Sequence, residues 1–149
     1  MFENVNHVRG TGIETGLQGQ SASGATSYLH YTYQITQDRE TEEDFFNSPR
    51  RLAGAGWIVP LFERNASLGV EGQYVGSRKT VKPGERIKAY YLANLTLTHR
   101  NLYKNIDLSS SIYNLLDTRY ADPGFEFHRP LIRIPQNGRS FNVKVVGRF

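Results

Sequence analysis

Apolar and polar side chains alternate along most of this chain. Over residues 26–37, Leu29, Tyr31, Tyr33 and Ile35 hold one parity, and His30, Thr32 and Gln34 the other. Successive side chains of a strand point to opposite faces, so this period of two predicts a strand with one apolar and one polar face. Six further segments read the same way. Residues 10–20 set Ile13, Thr15, Leu17 and Gly19 against Glu14, Gln18 and Gln20; residues 51–59 carry Ala53, Ala55, Trp57 and Val59 on the apolar parity. Residues 65–77 set Ala66, Leu68, Val70 and Tyr74 against Ser67, Glu71 and Gln73, and residues 89–99 set Tyr91, Ala93, Leu95 and Leu97 against Asn94, Thr96 and Thr98. Residues 105–114 oppose Ile106, Leu108 and Ile112 to Asp107, Ser109 and Ser111. The seventh segment, 139–149, places Phe141, Val143, Val145, Gly147 and Phe149 on one face. Seven such segments separated by turn residues predict an all-β antiparallel meander.

The connections alternate in length. Residues 21–25, 60–64 and 100–104 are short, whereas 38–50, 78–88 and 115–138 are long and rich in charge, Gly or Pro. Outer-membrane barrels sort their connections this way, with short turns in the periplasm and long loops outside the cell. A membrane-spanning strand needs roughly 9–11 residues, which these segments supply. The aromatic residues fit two interfacial girdles, with Tyr33, Tyr74, Tyr91 and Phe141 towards the long loops. Trp57 and Phe149 lie towards the short turns, with Tyr103 in one of them. The expected architecture is about seven transmembrane strands forming part of a large barrel.

Composition agrees only once the strands are recognised. A hydrophobic share of 38% over 149 residues suits a soluble protein, as does a mean hydropathy of −0.51. A barrel needs only alternate residues to be apolar, because its lumen and loops are polar. The net charge of +4 is dispersed over loops and strand ends, without the dense stripe expected of a nucleic-acid binder. There is no Cys, hence no disulfide or thiolate metal site.

Two short blocks carry a family resemblance. Residues 106–120 (IDLSSSIYNLLDTRY) resemble the penultimate strand and NLxD-xRY segment of TonB-dependent receptors, and residues 134–149 (IPQNGRSFNVKVVGRF) resemble their closing loop and strand. Residues 47–52 (NSPRRL), 69–78 (GVEGQYVGSR) and 12–14 (GIE) resemble earlier strand entries and exits in the same order. The resemblance implies a C-terminal piece, residues 1–149, of a plugged barrel of about 22 strands. It implies uptake of ferric siderophores, cobalamin or similar nutrients across the outer membrane of a Gram-negative bacterium. The implied partners are outer-membrane lipid, the plug domain, TonB and the barrel-assembly machinery, which would read Phe141, Val143, Val145 and Phe149. An odd strand count places Met1 on the long-loop side, so the expectation is a fragment that does not transport alone. A complete outer-membrane barrel of about eight strands with a structural or adhesive role stays open as an alternative, with 125–134 as the extra strand, as does a soluble β-sandwich binding module.

Candidate chemistry is sparse. The acidic run 38–44 (DRETEED) has no EF-hand spacing, and His7, His30, His99 and His128 form no ligand pair. No nucleophile–base constellation is recognisable, so no catalysis, metal or cofactor is expected. His128, Arg129 and Arg133 in the final long loop are the weak candidates for an anionic ligand. Glu14, Gln18, His30, Gln34, Glu71, Gln73, Asn94 and Asp107 are expected to line a polar interior.

Overall fold

The alternating segments become the strands of one sheet. The structure, a computed structural model, describes residues 7–62, 65–124 and 132–148. Seven main strands are β1 (Val8–Gln20), β2 (Thr26–Asp38), β3 (Arg51–Leu61), β4 (Ala66–Val75), β7 (Tyr90–Tyr103), β8 (Ile106–Tyr113) and β11 (Ser140–Gly147). They pair antiparallel in the order β1-β2-β3-β4-β7-β8-β11, so each lies beside the next main strand in the chain. Among the described residues β1 pairs only with β2 and β11 only with β8, and the sheet is open.

Register converts seven separate patterns into two continuous faces, because directly paired residues lie on the same side of a sheet. One row runs Trp57–Val70–Leu95–Ile112–Phe141, and another Tyr31–Ala53–Tyr74–Tyr91. Val143 and Val145 continue this outer face on β11, paired with Ser110 and Leu108. It is broadly exposed: Ile13, Leu17, Phe141, Val143 and Val145 each keep more than three-fifths of their surface open. A face this apolar and this exposed is unsatisfied in water.

The opposite, inner face is polar and laced by hydrogen bonds across strands. Tyr28 Oη donates to Glu71 Oε1 at 2.7 Å and Asn94 Nδ2 to Glu71 Oε2 at 3.1 Å. Paired hydroxyls join β7 to β8, Thr96 to Ser111 at 3.0 Å and Thr98 to Ser109 at 3.1 Å. Two glycines of β3 make room for rings from β2. A Cβ on Gly54 would stand 2.2 Å from His30 Cε1, and one on Gly56 2.2 Å from Tyr28 Cε1. The rings lie flat over the bare backbone, stacked with centroids 6.1 Å apart, and Tyr28 thereby reaches Glu71 two strands away.

Three expectations need correction. The stretch 100–104 is not a turn, because β7 continues to Tyr103 through an irregularity between His99 and Tyr103. The reversal needs only Lys104 and Asn105, both at positive φ, as a tight hairpin turn requires. Tyr103 therefore ends a strand. The long loops also contain four short strands that no alternation signals: β5 (Arg78–Lys79) pairs with β6 (Arg86–Ile87), and β9 (Ala121–Pro123) with β10 (Arg133–Pro135). The end of the proposed extra strand, Arg133 and Ile134, belongs to that second ribbon rather than to the main sheet, and residues 125–131 lie outside the described residues.

Candidate functional site

All three long connections leave the same end of the sheet, and there they fold onto one another. Most of the buried side chains gather here: Val75, Ile87, Arg78, Thr80 and Asn114, with Ala66 and Ser111 buried elsewhere. Arg78 is the centre. It follows β4 through a two-residue exit, and its guanidinium donates to Asp122 Oδ1 at 2.7 Å, to Asn47 Oδ1 at 3.1 Å and to Tyr90 Oη at 3.4 Å. It also lies 5.7 Å from the Tyr90 ring centroid, and Tyr90 packs on Tyr120 at 4.5 Å. One side chain of the 76–89 connection thus touches the connections 39–50 and 114–139 and the start of β7. A fork of donors suits this, since Arg satisfies several acceptors without losing its charge.

The NLLD segment explains itself in the same terms. Asn114, at φ 50°, exchanges two hydrogen bonds with the Thr118 backbone, each 2.9 Å. Asp117 Oδ1 accepts the Arg139 N–H at 2.8 Å, at the threshold of β11. Gly138 is required beside it, because a Cβ would fall 2.6 Å from that oxygen. These residues brace a loop.

Charged groups at this end are mostly paired. Arg50 meets Asp44 at 2.5 Å, Lys79 meets Glu43 at 3.1 Å, and Lys82 meets Glu85 at 3.3 Å. The Asp44 carboxylate holds Arg50 above its ordinary guanidinium value. Arg133 Nε donates to Glu85 Oε1 at 2.7 Å, which pulls the Glu85 carboxyl below its usual range. An open groove of about 890 Å³ lies between the β5–β6 ribbon and the 39–50 connection, bordered by Glu43, Lys79, Lys82 and Glu85. Its charges neutralise one another, which leaves little field for a ligand.

The residues expected to matter fall in several places. Arg133 joins the loop cluster through Glu85, while His128 and Arg129 lie outside the described residues, as does Phe149. Tyr33, Tyr74 and Tyr91 share the outer face towards the long loops, the last two with rings 4.7 Å apart. Trp57 lies on that face nearer the short turns, 56% exposed, and Phe141, Val143 and Val145 form the outer side of β11. Among the described residues no group of three or more His, Asp or Glu side chains is placed to hold a metal ion. Sequence reasoning missed Arg78, Asp122, Tyr90 and Tyr120, whose meeting depends on loops that carry no period. The place of Arg78 at a strand exit is the one hint the sequence offers.

No family model matches the sequence, and no curated protein does. Solved structures do match. The ferric-catecholate import receptor Fiu of E. coli K12 superposes with a TM-score of 0.75 at 19% identity, over 93% of this chain and 20% of that one. The ferripyoverdine receptor of the outer membrane of Pseudomonas aeruginosa gives 0.76 at 15% identity, over 93% and 19%. The copper transporter OprC gives 0.74 at 19% identity, over 93% and 24%. These are transport receptors, not enzymes. The chain spans about a fifth of the length of the first two and about a quarter of the third. Seven meandering strands with polar and apolar faces in register have the fold of a barrel segment of TonB-dependent receptors.

Proposed function

We propose that this chain, residues 1–149, is the C-terminal barrel segment of a TonB-dependent receptor in the outer membrane of a Gram-negative bacterium. The whole receptor would take up a ferric siderophore, cobalamin or a similar scarce nutrient, with the plug domain and TonB supplying gating and energy. This segment would provide part of the wall and three of the outer loops, and would not transport alone. The carrying observation is the outer face: apolar side chains of seven strands fall in register on one side, widely exposed. Lipid satisfies such a surface, and the inner polar face then meets the lumen.

Within this reading Tyr33, Tyr74 and Tyr91 serve the outer interfacial girdle, and Trp57 the periplasmic one. Phe141, Val143, Val145 and Phe149 serve as the signal to the assembly machinery. The test is a chromosomal epitope tag inserted after Lys82, read by antibody on intact cells and in membrane fractions. Surface labelling in the outer-membrane fraction is expected, together with lost growth on one nutrient when the gene for the whole receptor is deleted. A tag confined to the soluble fraction would refute the proposal, and so would unimpaired growth across a panel of siderophores and cobalamin.

A further inference from the structure

A second cavity, about 320 Å³, sits where the outer face meets the long loops. It takes in Tyr33 and Tyr74 from the apolar face, Arg50 and Arg51 at the start of β3, Arg86 of β6, and Asp44. Arg51 has outer-face parity, paired with Tyr33, and its carbonyl accepts the Gly76 N–H at 2.8 Å. The missing side chain at Gly76 is required, since a Cβ there would stand 2.9 Å from the Arg51 carbonyl oxygen. The same bareness leaves the cavity open beside the Arg51 backbone.

The charges are unbalanced. Three guanidiniums surround one carboxylate, and Asp44 is shared between Arg50 at 2.5 Å and Arg86 at 4.0 Å. Arg51 is exposed and has no carboxylate within 4.0 Å among the described residues. Tyrosines mark the depth at which a bilayer turns from hydrocarbon to headgroups, and Arg51 stands level with Tyr33 and one row beyond Tyr74 on the same face. A guanidinium fork matches phosphate oxygens two at a time. The volume falls at the small end of the range for ligand sites.

We propose that this cavity holds the phosphate-bearing headgroup of an anionic membrane lipid, with Arg51 as its principal donor and Tyr33 and Tyr74 against the first part of the acyl region. The inference rests on the membrane-barrel reading. It is tested on the protein as cells make it, extracted in a mild detergent and titrated by native mass spectrometry. The probes are diphosphorylated lipid A, phosphatidylglycerol, phosphatidylcholine and inorganic phosphate. The phosphorylated lipids are expected to bind at least tenfold tighter than phosphatidylcholine, and Arg51→Gln to remove about tenfold of that preference. Arg51→Lys should retain part of it and carries the test if Arg51→Gln fails to fold; Lys144→Gln, on the opposite face, should change nothing. Equal binding of phosphatidylcholine would overturn the site, and so would unaltered lipid binding in both Arg51 variants. Binding of inorganic phosphate with no lipid retained would overturn the headgroup assignment. A protein absent from the membrane would refute the barrel reading as well, whereas a membrane-resident receptor without lipid preference refutes the site alone.

Discussion

Arg78 and Asp122 meet at 2.7 Å although 44 residues separate them in sequence. The guanidinium is nearly enclosed, with its side chain 10% exposed, while the carboxylate remains 40% exposed. Removing the cation strands its acceptors, whereas removing the anion leaves a half-wetted partner. Arg78→Gln is therefore expected to destabilise the closed arrangement of the loops by about 1–3 kcal/mol, and Asp122→Asn by less. Hydrogen exchange on the folded protein reads this directly. Protection should fall together around Asn47, Lys79 and Asp122; loss confined to residues next to Arg78 would show that the loops are independent.

The inner face predicts a steric asymmetry between glycines. Gly56→Ala drives a methyl into the Tyr28 ring and displaces it from Glu71, at an expected cost of about 1–3 kcal/mol. Gly72→Ala, on the opposite, apolar face, meets nothing within 4 Å and should be neutral or slightly stabilising. Unfolding of the protein in lipid vesicles would compare the two. In a Tyr28→Ala background the Gly56→Ala penalty should largely vanish, because the two positions share one space.

A charge on the apolar face distinguishes lipid from water as its surroundings. Val70 lies mid-strand in the row between Trp57 and Leu95. Val70→Arg should cost more than Gln73→Arg on the opposite, polar face, up to about 2–4 kcal/mol for a charge at bilayer mid-depth. Assembly yield in the outer membrane and unfolding in vesicles both report the difference. Equal tolerance of the two variants would favour a soluble sandwich.

Glu85 gives a pH dependence whose sign is fixed. Its carboxyl is depressed chiefly by the hydrogen bond from Arg133, with Lys82 assisting. A depressed carboxylate favours the folded pairing above its unfolded value, and that contribution fades as pH falls through the folded value. The β10 strand should therefore loosen from the β5–β6 ribbon on acidification below the ordinary carboxylate range. A carbon-13 titration of the Glu85 carboxyl should show the depression, and Arg133→Gln should remove most of it.

The faces were legible because parity survives any error in strand ends: Leu95, Leu97 and Phe141 alternate with polar neighbours whatever the boundaries. The end of β7 was not legible. Arg100, Asn101 and Lys104 read as turn residues, yet strand pairing runs through backbone groups and needs no apolar side chain. The loop cluster was hidden for another reason. Strands of two or three residues hold less than one full alternation, and the partners of Arg78 are set by how three connections pack. The NLLD block was visible as a resemblance, and the structure supplies its cause in the bonds of Asn114 and Asp117.

Those bonds also decide how the last strand arrives. A long connection between β8 and β11 would ordinarily leave its far end to a wide search, with an entropic cost that rises with the loop. Asp117 shortens that search by holding the Arg139 amide beside the end of β8, so the start of β11 is presented to its neighbour with the antiparallel register already chosen. Where every main strand pairs with the one before it, the sheet can grow by successive hairpins, and the brace lets its longest step proceed as though it were a short one.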